Sequence, residues 1–196
     1  MFIIKICGIT NEEDARVAVD AGANALGFNF YTQSPRYVTP ERASEIAKNV
    51  QGTFLKVGVF VNSVGKLADE IALDVLQLHG NCPNYPHRRV WRAIRAGERP
   101  DDPEVEAYLM DTPAESFGGS GKTFDWKLAG DSPFRVIVAG GLDATNVAEA
   151  IRTAQPWGVD ACSRLESSPG RKDPQRVRDF VAAALSASRN LQEVTV

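Results

Sequence analysis

The sequence predicts an α/β protein, a single-domain (β/α)8 TIM barrel, and three observations lead there. Apolar runs of strand length recur eight times along the 196 residues. Helical patterns fill most of the intervals between them. The runs are close to continuously apolar, which is the composition of a parallel sheet covered by helices.

The runs are FIIKIC (2–7), ALGFNF (25–30), LKVGVFV (55–61), VLQLHG (75–80), VWRAIR (90–95), AYLMD (107–111), RVIVAGG (135–141) and GVDACS (158–163). Between them, apolar residues spaced i, i+3, i+4, i+7 mark one-sided helices. Ala43, Ile46, Ala47 and Val50 make one such set, and Val64, Leu67, Ala68 and Ile71 a second. Val147, Ala150, Ile151 and Ala154 make a third, and Val177, Phe180, Val181, Ala184 and Leu185 the longest. Thr10 followed by Glu13 reads as a capping box. Thr39-Pro40 and Asp173-Pro174 each read as an N-cap followed by proline at the first helical position. Helices after the fourth, fifth and sixth strands are poorly marked. The length is at the short end for eight units, so loops must be tight and some helices reduced to about a turn. An open doubly wound sheet is the competing architecture, but no G-x-G-x-x-G follows the first strand. One domain spanning 1–196 is expected, with the tail after Arg189 loosely held.

Composition narrows the function. Hydrophobic residues make up 43%, charged residues 24%, and the formal net charge is −3, with scattered rather than clustered basic residues. The expectation is a cytoplasmic protein with no nucleic-acid or membrane partner, since no run has the length of a membrane span or the flanks of a signal peptide. The three cysteines, Cys7, Cys82 and Cys162, are odd in number and lack CxxC spacing. Reduced thiols are expected, with neither a disulfide framework nor a thiolate metal site.

In a barrel of this kind, functional groups gather at the C-terminal ends of the strands. Cys7 ends the first. Period-2 alternation puts it on the same face as Lys5, opposite Ile4 and Ile6, and a nearby ammonium and helix N-terminus both favour thiolate. The alternative is a cysteine that serves as a small core hydrophobe. Arg36, in the loop YTQSPRYV, suits bidentate recognition of a carboxylate or phosphate, or is a solvated surface group. Asp125, in GGSGKTFDW, lies between Phe124 and Trp126; desolvation there would equip it as a general acid, although it could equally cap a helix. Gly140 and Gly141 let backbone N–H groups approach an anion where barrels commonly bind phosphate, or form a simple turn.

Taken in order, KICGIT, ALGFNF with SPRYV, VGVFVN, LQLHG, GGSGKTFDW, VAGGL with NV, and GVDACSRLESSPGRKD resemble the phosphoribosylanthranilate isomerase family over nearly the whole chain. The resemblance implies an Amadori rearrangement in tryptophan biosynthesis, without metal or cofactor, on a small phosphorylated sugar. It implies Cys7 as general base, Asp125 as general acid, Arg36 on the anthranilate carboxylate, and Gly140, Gly141 and Ser163 on the phosphate. One departure stands out: where the family usually reads D-V-S-S-G-V-E, this chain has Asp160-Ala161-Cys162-Ser163-Arg164-Leu165-Glu166. Arg164 in place of glycine either strains the loop or aims its guanidinium at the phosphate. His79 stands at the end of the fourth strand, structural or functional. The rivals are the histidine-pathway isomerase, which is similar in mechanism but uses a carboxylate pair, and a non-catalytic phosphosugar-binding barrel. Monomer and homodimer both remain open.

Overall fold

The computed structural model describes residues 1–83, 85, 87–100, 102–112 and 123–194. Eight parallel strands close into a barrel in chain order. They are β1 (Ile3–Cys7), β2 (Ala25–Asn29), β3 (Leu55–Val61), β4 (Val75–His79), β5 (Val90–Arg95), β6 (Ala107–Asp111), β7 (Val136–Val138) and β8 (Gly158–Ala161). The ring is shut by β1 against β8, with Ile3 opposite Gly158 and Ile6 opposite Ala161. The open doubly wound alternative is thereby excluded.

Helices α1 (Glu12–Ala21), α2 (Pro40–Asn49), α3 (Leu67–Glu70), α4 (Lys127–Gly130), α5 (Val147–Ala154) and α6 (Pro174–Val194) lie outside. No helix follows β4 or β5 among the described residues, in keeping with the weak periodicity there. Helix α3 is a single turn, shorter than the spacing of Val64 to Ile71 suggested. Two short strands the sequence did not signal, β9 (Glu166–Ser168) and β10 (Arg171–Lys172), form an antiparallel ribbon beyond β8. Helix α6 carries on past Arg189 to Val194, with Leu191 still packed against the core, where a loose tail was expected. No helix among the described residues is long and apolar enough to cross a membrane.

The helix starts follow their caps. Thr39 accepts from the Arg42 backbone N–H with Pro40 next in line, and Asp173 Oδ1 accepts from the N–H groups of Gln175 and Arg176. The start of α1 differs from the expectation. Asn11, not Thr10, is the cap: its Oδ1 accepts from Asp14 N at 2.9 Å and its Nδ2 donates to Asp14 Oδ2 at 2.7 Å. Thr10 instead donates to the Gly170 carbonyl at 2.6 Å, tying the β1 loop to the ribbon.

Alternation along the strands sorts the core into two compartments. Ile4, Ile6, Leu26 and Phe28 point outward and pack under the helices, where Val177, Phe180, Val181 and Ala184 of α6 are wholly buried. Burying a side chain of that size stabilises by roughly 1.5–3 kcal/mol, so Phe180→Ala alone threatens the docking of α6. Ile3, Ala25, Val57, Val75, Trp91, Ala107 and Ile137 point inward and plug the barrel. Trp91 meets Trp157 edge-on at 5.9 Å and donates its indole N–H to Glu106. That plug closes the N-terminal end, so only the C-terminal end can open.

Candidate active site

Above the plug the inward positions become polar. Lys5 and Cys7 of β1, Gln77 and His79 of β4, Asp111 of β6, and Asp160 at β8 with Cys162 just beyond it share the barrel interior. Most of them line a cavity of about 410 Å³ at the strand C-termini. Arg36, Gly140, Gly141, Ser163 and Arg164 line it too, so the structure brings together every site residue suggested by the sequence except one.

The exception is Asp125. Its carboxylate is exposed at the start of α4, accepts from Lys127 N at 3.1 Å, and is not among the cavity-lining residues. The enclosure between Phe124 and Trp126 that the sequence suggested is not present. Residues 118–122 of the glycine-rich loop before it lie outside the described residues.

At the cavity floor Lys5 is 0% exposed and donates to Asp160 Oδ1 at 2.7 Å. A side chain on Gly27 would come within 3.0 Å of both Lys5 Nζ and Cys7 Sγ, so glycine there is what lets cation and thiol meet. The Cys7 sulfur is held well below the usual thiol range, first by a hydrogen bond from Cys162, then, against burial, by the Lys5 ammonium. Burial alone would lower Lys5, but Asp160 and Cys7 beside it keep it above its ordinary value. Burial pushes Asp160 up to about 7, against the pull of Lys5, and pushes Asp111 up as well. One ammonium beside a thiol and a carboxylate favours the thiolate, while burial raises both carboxyls above their ordinary values.

Arg36 is gripped before any ligand arrives. Its Nε and Nη2 donate to the two Glu166 oxygens at 2.9 and 2.8 Å, a fork-to-fork pair. Glu166 also receives Lys172 Nζ at 3.0 Å. Burial would raise the Glu166 carboxyl, yet Arg36 and Lys172 hold it below its ordinary value. Lys172 reaches further, donating to the Cys162 carbonyl at 3.2 Å. The guanidinium is thus fixed at the cavity wall with its remaining edge available to an anion.

On the opposite wall, Gly140 and Gly141 have φ of +81° and +59°. A Cβ at Gly140 would collide with Thr112 Oγ1 and come within 2.6 Å of Asp111 Oδ1, so only glycine permits that turn. Gly141 O accepts from Asn146 at 2.9 Å, pinning the loop. Arg164 resolves the question of strain. It sits in a short 3₁₀ turn, Ser163–Leu165, and takes no left-handed φ. Its guanidinium reaches the loop after β7, with Nε 2.6 Å from Asp143 Oδ2, and joins the loops after β7 and β8.

His79 shares a 2.8 Å hydrogen bond with Gln77 Nε2, and burial lowers it to about 4, so the imidazole is neutral near pH 7. Cys82, off the cavity, donates weakly to the His79 carbonyl. Asp111, Glu166, Lys172 and Cys162 were not assigned roles from sequence. Alternation along AYLMD could have found Asp111 and alternation along GVDACS could have found Cys162. Nothing local marks Glu166 or Lys172, which arrive on the ribbon. No group of three or more His, Cys, Asp or Glu among the described residues is arranged to hold a metal ion.

A thiol, buried carboxyls and fixed cations facing one cavity at the strand ends define a (β/α)8 enzyme of the proton-transfer type acting on a small molecule. The family is then particular: the sequence pattern described as N-(5'phosphoribosyl)anthranilate (PRA) isomerase matches residues 4–183, and the chain belongs to that family. The N-(5'-phosphoribosyl)anthranilate isomerase of Solibacter usitatus is 52% identical over 198 residues, covering 94% of this chain and 98% of that protein. The phosphoribosyl anthranilate isomerase of Thermotoga maritima, solved as a crystal structure, superposes with a TM-score of 0.82 at 35% identity, covering 95% of this chain and all of that one. A second crystal structure, of a phosphoribosyl anthranilate isomerase in complex with reduced 1-(o-carboxyphenylamino)-1-deoxyribulose 5-phosphate, superposes at 0.78 with 32% identity over 95% of this chain.

Proposed function

We propose that this chain converts N-(5-phosphoribosyl)anthranilate to 1-(2-carboxyphenylamino)-1-deoxyribulose 5-phosphate, the isomerisation its family performs in tryptophan biosynthesis. The observation that carries the reading is Cys7 at the cavity floor, held toward thiolate by Cys162 and Lys5. An acid first protonates the furanose ring oxygen, and the sugar opens to an iminium species. The Cys7 thiolate then takes the C2′ proton, giving an enolamine that tautomerises to the ketone. The iminium acidifies that proton, and Lys5 beneath the sulfur keeps the base ionised until it is needed.

Arg36, oriented by Glu166, takes the anthranilate carboxylate. The backbone around Gly140 and Gly141, with Ser163 and Arg164, takes the phosphate across the cavity. The acid in this reading is Asp125, assigned by resemblance. A second assignment rests on one observation: Asp111, unlike Asp125, lines the cavity, and burial raises its carboxyl.

The test is the loss of anthranilate fluorescence when phosphoribosylanthranilate, generated in situ, meets the purified protein. A fast decay abolished in Cys7→Ser supports both reaction and base. A folded protein that binds a product analogue yet gives no decay supports a phosphosugar-binding role instead.

A further inference from the structure

Cys7 and Cys162 stand at the C-terminal ends of strands that pair side by side. The ladder between β1 and β8 matches Lys5 to Asp160 and Ile6 to Ala161; Cys7 is the last residue of β1, and Cys162 follows directly on the last residue of β8. Alternation turns Cys7 toward the barrel interior, and Cys162 lines the same cavity. Neighbouring strands run about 4.8 Å apart, within the Cα separation of about 4.4–6.8 Å that a disulfide spans. The sulfur of Cys162 reaches over the end of β1, since a side chain on Gly8, the residue after Cys7, would come within 3.1 Å of it. Both line the open cavity, so a small oxidant reaches them.

We propose that Cys7 and Cys162 form a reversible disulfide site, with peroxide as the oxidant. The Cys7 thiolate attacks one oxygen of hydrogen peroxide; the O–O bond breaks, Cys7 becomes a sulfenic acid, and the departing hydroxide takes up from solvent the proton Cys7 gave on ionising, leaving as water. Cys162 sulfur then attacks the sulfenic sulfur; an S–S bond forms, the S–O bond breaks, and the departing hydroxide takes the Cys162 proton as water. Two thiols lose two electrons and one peroxide becomes two waters.

The surroundings favour both halves of this sequence. Lys5 beside Cys7 supports the attacking thiolate. The Cys162 thiol is held above its ordinary value first by its hydrogen bond to Cys7, and oxidation of Cys7 to a neutral sulfenic acid removes that restraint. Lys172 Nζ, 3.7 Å from Cys162 Sγ, then favours Cys162 as the second thiolate. Cys82 provides the contrast: it is off the cavity and burial raises its thiol.

The experiment treats the full chain with one equivalent of hydrogen peroxide, alkylates without reductant, and reads masses. The expected product is lighter by two hydrogens, joins the tryptic peptides 6–16 and 153–164, leaves Cys82 alkylated, and reverts with dithiothreitol. In Cys162→Ser no linked pair forms, and dimedone traps the sulfenic acid on Cys7. Wild-type protein that carries sulfinic acid on Cys7 with Cys162 still alkylated, or a bridge that includes Cys82, overturns the proposal. The masses require no turnover and so stand apart from the proposed isomerase reaction. Loss and recovery of activity in step with the bridge is the consequence that rests on Cys7 as the base.

Discussion

Lys5, shut off from solvent, donates a 2.7 Å hydrogen bond to Asp160 directly beneath the cavity floor. With Cys7 two residues along the same face, that ammonium is shared between a carboxyl below and a sulfur above. Removing it should therefore appear as a change in the ionisation of Cys7. Because Cys7 is held below the ordinary thiol value, its thiolate persists to lower pH than that of a free thiol and is lost as pH falls through the lowered value. In Lys5→Met the acid limb of kcat/KM moves to higher pH. Activity near pH 7 drops on the order of tenfold for each unit of displacement, and returns at alkaline pH. An acid limb that stays in place would remove Lys5 from any role in the base.

The two candidate acids separate by substitution. If Asp125 supplies the proton, Asp125→Asn lowers kcat on the order of 10²-fold or more while Asp111→Asn has a smaller effect. The reverse order assigns ring opening to Asp111. A loss confined to KM in Asp125→Asn points to binding alone.

Glu166 supports Arg36 and Lys172 together from a side chain that is 4% exposed. Glu166→Gln leaves both cations facing a neutral amide. The expected loss is about 3 kcal/mol of stability, the scale for breaking a buried ion pair, read as a lower denaturant midpoint at unchanged slope. KM should also rise, since Arg36 loses the carboxylate that orients it. A stable variant with normal KM would show that Arg36 is held by its packing alone.

Arg164 bonds Asp143 from a backbone that glycine is not needed to relieve. Arg164→Gly should raise KM for the phosphorylated substrate several-fold and leave kcat nearly unchanged. A fall in KM would mean that the guanidinium competes with the phosphate.

Gly140 is the opposite case, because its φ of +81° and the closeness of Asp111 both exclude a side chain. Gly140→Ala should distort the loop after β7 and weaken binding of inorganic phosphate or a product analogue. Normal affinity in a folded variant would show that the phosphate is held elsewhere.

Most of the fold was legible because its signals are local. Strand-length apolar runs and helical spacing depend on residues a few positions apart, and so do Thr39-Pro40 and Asp173-Pro174. The Asn11 cap was missed because Thr10 and Asn11 are both competent, and the contact of Thr10 with the Gly170 carbonyl decides between them. Helix α3 came out short where its periodic residues were counted beyond the hydrogen-bonded turn. At the site, Cys7 facing with Lys5 was readable from alternation alone. Enclosure of Asp125 was inferred from its aromatic neighbours in sequence, and sequence neighbours do not determine which way a loop faces.

By itself the sequence determined the order of strands and helices, the inward row Lys5–Cys7, and the glycines that allow the β7 loop to turn. These follow from periodicity and backbone sterics, which act over a few residues. Only closure of the barrel decided that Asp160 lies against Lys5, Cys162 against Cys7 and Glu166 against Arg36, partners 155, 155 and 130 positions apart. Burial then set which of those groups carry charge, because desolvation and the nearest opposite charge depend on what the fold packs around a side chain, not on its neighbours in the chain.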